Sequence, residues 1–228
     1  MLLSQAGASV AISYRERKDA ADEVLGRMEG SSAAVQADFS NPADCDGMVE
    51  DTVRSLGRLD IFVANAGIWV PHAKSVTEMD DAQWTETLSV NLSAVFYGCR
   101  AALRVMQPGG RVVIVGSTAG QRGEAYHADY ATTKGAIIAF VKSLAGEAAK
   151  DQITVNCVAP GWIDTEMCDI PYGADGGDGK RRIEATIPLG RVATPAEIAG
   201  PIVFLCSQLA AHVTGETLNV NGGSVMCG

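Results

Sequence analysis

The sequence predicts an α/β fold, a doubly wound parallel sheet in one domain spanning residues 1–228, and three observations carry that expectation. Short runs rich in Val and Ile recur along the chain. They are apolar throughout rather than alternating, and longer segments with helical spacing separate them. Strands covered on both faces by crossover helices read this way, because neither face meets water. With 228 residues, 47% hydrophobic and 20% charged, the chain buries a sizeable core without needing a second domain.

Taken in order, MLLSQAGASV reads as the second half of a helix running into a strand at 8–14. A second strand is expected at 33–37. Asn41-Pro42 then supplies a helix N-cap followed by proline at the first helical position, where a missing N–H is no loss. The third strand falls at 59–64. A long helix from about Asp81 stops at Gln107-Pro108-Gly109-Gly110, which cannot continue it, and a strand at 111–117 follows. A helix carrying Tyr130 leads to a strand at 154–158. Residues 171–179, PYGADGGDG, show no apolar periodicity and are expected to form a mobile loop. They are not a phosphate-binding loop, since Ala174 stands where that motif needs glycine and Arg181 replaces the Ser/Thr after Lys180. Thr194-Pro195-Ala196-Glu197 opens the last helix, and a strand at 217–220 closes the sheet. There is no internal repeat.

Composition excludes several function classes. A net charge of -9, with Lys180-Arg181-Arg182 as the one basic run, repels a nucleic-acid backbone. The 6 cysteines form no CxxC pair and the 3 histidines have no metal-ligand spacing, so reduced thiols and no metal site are expected. No basic leader precedes a long apolar run, and no stretch reaches the roughly 18 apolar residues of a membrane span. The expected compartment is the cytoplasm.

The chemistry centres on Tyr130-Ala-Thr-Thr-Lys134, which puts a phenol and an ammonium one helical turn apart on one face. A cation beside a phenol is expected to lower its pKa from about 10 and make it a general acid and base. Ser117 ends the strand at 111–117, at the carboxyl edge where doubly wound sheets place their sites, and its hydroxyl orients a carbonyl near the phenol. His127 reads as a solvated neighbour of Tyr130.

These residues resemble the short-chain dehydrogenase/reductase family, of the classical type, in family order along the whole chain. Asn65-Ala66-Gly67 resembles its NAG motif, Asn91 its helix asparagine, and Ser117, Tyr130 and Lys134 the rest of its catalytic tetrad. Pro160-Gly161 with Thr165 resembles its nicotinamide-binding loop, and Thr214-Gly215 through Asn221-Gly222-Gly223 its terminal strand signature. The resemblance implies that Tyr130 protonates the carbonyl oxygen, Ser117 polarises it, Lys134 bonds the nicotinamide ribose, and Asn91 holds a water linking Lys134 to solvent. It places Asp38, with Phe39 beside it, at the adenine, and Ile163 and Thr165 at the carboxamide. It implies helix-paired homotetramers and a small carbonyl or alcohol substrate.

In this family an acid at the end of the second strand accepts from the ribose 2′-hydroxyl and repels a 2′-phosphate. Here Tyr14-Arg15-Glu16-Arg17 offers the guanidiniums of Arg15 and Arg17 instead, which favours NADP(H) over NAD(H). Among relatives the chain is most like the 3-oxoacyl-acyl-carrier-protein reductases. A sugar or polyol dehydrogenase is the second reading, and a non-catalytic scaffold that does not bind cofactor is the alternative from another class. The family's first strand and glycine-rich turn, with two helical turns, roughly 20 residues, would precede Met1. A truncated or displaced start is therefore expected, and the missing strand would lie mid-sheet.

Overall fold

The structure, a computed structural model, describes residues 1–226; Cys227 lies outside them. The first half runs α1 (Leu2–Gln5), β1 (Val10–Tyr14), α2 (Lys18–Leu25), β2 (Ser32–Gln36), α3 (Pro42–Leu56), β3 (Ile61–Ala64), α4 (Asp81–Leu88), α5 (Ala94–Val105) and β4 (Arg111–Val115). The second half adds α6 (Ala119–Arg122), α7 (Ala128–Ala148), β5 (Thr154–Pro160), α8 (Asp169–Gly173), α9 (Gly179–Glu184), α10 (Pro195–Cys206) and β6 (Thr217–Val220). The fold is α/β with parallel strands and helices on both faces.

Val112, Ile114, Val155 and Cys157 turn one way, into a core shared with Cys99 and Ala102 of α5 and Ile137 and Val141 of α7. Val113 and Val158 turn the other way, onto Ile198 and Leu205 of α10. That two-sided burial is why β4 and β5 carry no alternation. The sheet is in two parts: β3-β4-β5-β6 form one parallel sheet and β1-β2 another. β1 and β3 share no ladder, and neither has a fully buried residue. The parts are held together through α3, which packs on β1, β2 and α5, and through Val35, Met48, Val49 and Ala101 with Phe62 against them.

Helix signals act as the sequence predicts. Asn41 Oδ1 accepts from Ala43 N at 3.0 Å, and Thr194 and Glu197 form a reciprocal capping box. Two expectations need correction. The long helix from Asp81 is interrupted by one π-helical turn, Ser89–Ser93, with Asn91 at its middle. Residues 171–179 are not a plain loop: α8, a short 3₁₀ turn (Ala174–Gly177) and α9 occupy them. The reason is tertiary, since Tyr172 is buried with Cys168, Ile187 and Val192, and its hydroxyl donates to the Ile163 carbonyl at 2.8 Å. One aromatic in a polar segment leaves no periodicity to read.

Candidate active site

β3, β4 and β5 end together, and the sequence-predicted site residues gather at those carboxyl ends. Ser117 lies two residues past β4, with its Oγ accepting from Ala119 N at 3.1 Å and near enough to the Tyr130 phenol to pull its pKa down. Tyr130 and Lys134 stand on the first turns of α7. Lys134 is buried, donates from Nζ to the Val115 carbonyl at 2.9 Å, and lies 5.6 Å from the centre of the Tyr130 ring. Gly120 permits this close seat, because a Cβ there would stand 2.3 Å from the Lys134 carbonyl carbon.

The expected lowering of the Tyr130 pKa is not what this geometry produces. Burial pushes the phenol up to about 12, against a downward pull from the Ser117 hydroxyl, while Glu124 and Cys168 push it further up. Burial also lowers the Lys134 ammonium to about 8. The ammonium faces the ring and the Val115 carbonyl, and desolvation of both groups outweighs their attraction. At neutral pH Tyr130 is therefore a neutral phenol, the form that gives up a proton.

Asn91 is fully buried, and both ends of its amide bond the backbone of Ile68: Nδ2 donates to the carbonyl at 2.8 Å and Oδ1 accepts from the N–H at 2.8 Å. The Asn91 side chain thus fixes the segment after Gly67. A Cβ on Gly67 would sit 3.1 Å from Asn91 Oδ1 and 3.6 Å from Lys134 Nζ, so Gly67 keeps the floor of the site clear. Asn65 and Ala66 are exposed at the end of β3.

Of the remaining cofactor candidates, Arg15 lines a hollow of about 600 Å³ beside α4, together with Ser40, Asp81, Glu86, Ser89 and Val90. Arg15 pairs with Glu16 at 3.2 Å, and Arg17 with Glu166 at 3.3 Å, both exposed pairs that a phosphate could replace. Tyr14 ends β1 half-buried. Asp38 accepts from the Ser40 hydroxyl at 2.7 Å and from its N–H at 2.9 Å, and these bonds hold its carboxyl below the usual range. Phe39, partly buried, packs on the core of Val35, Ala37, Met48 and Val49 beside Asp38. Pro160 accepts from Thr118 N at 2.9 Å, Gly161 lies against Asn221, and Ile163 bridges to Ala193, leaving Thr165 at the rim before Glu166.

Lys134 Nζ has one hydrogen-bond partner among the described residues, the Val115 carbonyl, and Gly67 stands beside it without a side chain, which leaves donors that a nucleotide ribose could use. Sequence reasoning passed over Ser40 and Val90, which adjoin Asp38 and Asn91 closely enough to be found. It also missed the grouping of Trp69, Glu124, His127 and Trp162. His127 is not solvated but 9% exposed, stacked on Trp69 with centroids 4.7 Å apart. Among the described residues no cluster of three or more His, Cys, Asp or Glu could hold a metal ion, and no helix is long and apolar enough to cross a membrane.

The family model described as enoyl-(acyl carrier protein) reductase matches residues 1–225. The 3-oxoacyl-[acyl-carrier-protein] reductase FabG of Escherichia coli (strain K12) is 36% identical over 226 residues, covering 98% of this chain and 90% of its own length. The corresponding reductase of a Synechocystis strain is 34% identical over 232 residues, covering 99% and 90%. Among solved structures, a Brucella melitensis short-chain dehydrogenase/reductase titled glucose/ribitol dehydrogenase superimposes with a TM-score of 0.92 at 34% identity, covering 99% of this chain and 90% of that one.

Proposed function

This chain belongs to the short-chain dehydrogenase/reductase family, oxidoreductases acting on CH–OH and C=O groups, and from that premise we propose that it is a cytoplasmic NADPH-dependent reductase of 3-oxoacyl thioester-like ketones. One observation carries the reading: a neutral Tyr130 phenol beside Ser117, with the buried Lys134 one turn along. When bound, NADPH supplies the hydride. Tyr130 gives its proton to the carbonyl oxygen as that oxygen gains charge, and Ser117 donates a hydrogen bond to the same atom. Lys134 holds the nucleotide ribose with its two remaining donors and stabilises the phenolate left behind. Asn91 keeps Ile68 and Gly67 in place. Arg15 at the hollow and Arg17 two residues on favour the 2′-phosphate, and the absence of an acid at the end of β1 supports this.

The half-exposed Phe96 and Trp84, on α5 and α4, support helix-paired assembly into a homotetramer. Polyol oxidation is the second reading, favoured by the likeness to the Brucella structure. A substrate panel separates the two: acetoacetyl thioesters with NADPH should be turned over faster than sorbitol or ribitol with either oxidised coenzyme. Faster polyol oxidation with NAD would overturn the leading reading.

A further inference from the structure

His127 is 9% exposed, yet neither of its ring nitrogens has a hydrogen-bond partner among the described residues. An imidazole carries at least one N–H, and burying it unbonded is unfavourable. The arrangement around it is built. Its ring stacks on Trp69 at an interplanar angle of 21°. Tyr126 before it sits at φ 66, a strained left-handed conformation for a tyrosine, with its carbonyl accepting from Lys74 N at 3.0 Å. That bond ties the loop bearing Trp69 to the start of α7.

His127 is the N-cap of α7, three residues before Tyr130, and its carbonyl accepts from Ala131 N at 3.0 Å as the helix begins. Glu124 Oε1 stands 3.6 Å from His127 Nδ1, beyond hydrogen-bond reach; Trp69 lies near its carboxyl, and its charge is felt at the Tyr130 phenol. Trp69 meets Trp162 edge-on at 6.1 Å, and Trp162 meets Tyr172 at 6.1 Å, giving an aromatic wall that runs away from the polar end. The Tyr172 hydroxyl is already bonded to Ile163, which leaves His127 as the unpartnered polar group along this row of rings.

Resting on the reading of Tyr130 and Ser117 as the carbonyl-reducing pair, we propose that His127 is a specificity-determining residue whose ring N–H bonds a second carbonyl oxygen of the substrate, so that the enzyme selects 1,3-dicarbonyl compounds over simple ketones. The reacting oxygen lies between Tyr130 and Ser117, and the second oxygen of a 1,3-dicarbonyl reaches the donor three residues before Tyr130. The aromatic wall receives the apolar remainder. A ketone without the second oxygen leaves the buried imidazole unbonded, and sites built to bond an oxygen reject analogues lacking it strongly.

The test compares acetoacetyl-N-acetylcysteamine with a simple ketone of equal length, using NADPH, in the wild type, His127→Phe, which keeps the stack on Trp69, and His127→Gln, which keeps a donor. The wild type should prefer the dicarbonyl in kcat/KM by about 10- to 100-fold. His127→Phe should lose that preference while reducing the simple ketone within about twofold of the wild-type rate, and His127→Gln should restore most of it. An unchanged preference in His127→Phe, or equal losses on both substrates, overturns the proposal. If neither ketone is reduced, the reading of Tyr130 and Ser117 fails separately, and calorimetric titration with acetoacetyl-N-acetylcysteamine decides the role of His127. Binding weakened about tenfold in His127→Phe alone supports it, and equal binding in all three proteins overturns it.

Discussion

Lys134 is buried with a single hydrogen bond, to the Val115 carbonyl, and its pKa falls to about 8 from 10.5. A base whose folded pKa is depressed binds its proton less tightly folded than unfolded. The cost is thus fully present below pH 8 and is relieved as pH rises toward 10.5. At 1.36 kcal/mol per unit, less the lost bond to Val115, Lys134→Met should gain about 2 kcal/mol of stability at pH 7. Denaturant unfolding across pH checks this: the gain should shrink as pH approaches 10, and a gain independent of pH would refute the burial argument. Activity should fall in the same variant, since the donors aimed at the ribose go with the ammonium. The tyrosine, serine and lysine were legible because helical spacing and strand ends are local rules. The direction of the Tyr130 shift was not, because desolvation depends on what the rest of the chain brings over α7.

At the scale of elements, the sheet's two parts differ in burial. β5 is buried along its length and β4 nearly so, whereas β1 and β3 are half-buried and unpaired with each other. Local opening follows the number of buried apolar contacts, so amides of β1 and β2 should exchange with deuterium well before those of β4 and β5. Equal protection across all the strands would contradict the view that the two parts, which share no ladder, open separately. Strand centres were readable from Val and Ile runs, with ends displaced by a residue or two. β5 continues to Pro160, past the expected end, where Gly161 N still bonds the Val220 carbonyl at 3.2 Å. The π turn at Asn91 and the helices at 169–184 had no sequence signal, because the first reflects the tie to Ile68 and the second the burial of Tyr172.

For the whole molecule, the strand ends converge on one edge, which carries Gly67, Ser117, Tyr130 and Lys134, with the hollow at Arg15 and Ser40 beside α4. Order along the chain made this edge legible, since each landmark follows a strand. Trp69, Glu124 and His127 were not legible as a group, because no spacing rule joins a loop after β3 to the turn before α7. The account's central claim is that Tyr130 is the proton donor in carbonyl reduction, and NADPH oxidation with an acetoacetyl thioester in wild type and Tyr130→Phe tests it most directly. Loss of turnover by about 10²- to 10⁴-fold in a variant that keeps its fold is the predicted result. A Tyr130→Phe protein that reduces the ketone within a few-fold of the wild-type rate would contradict it.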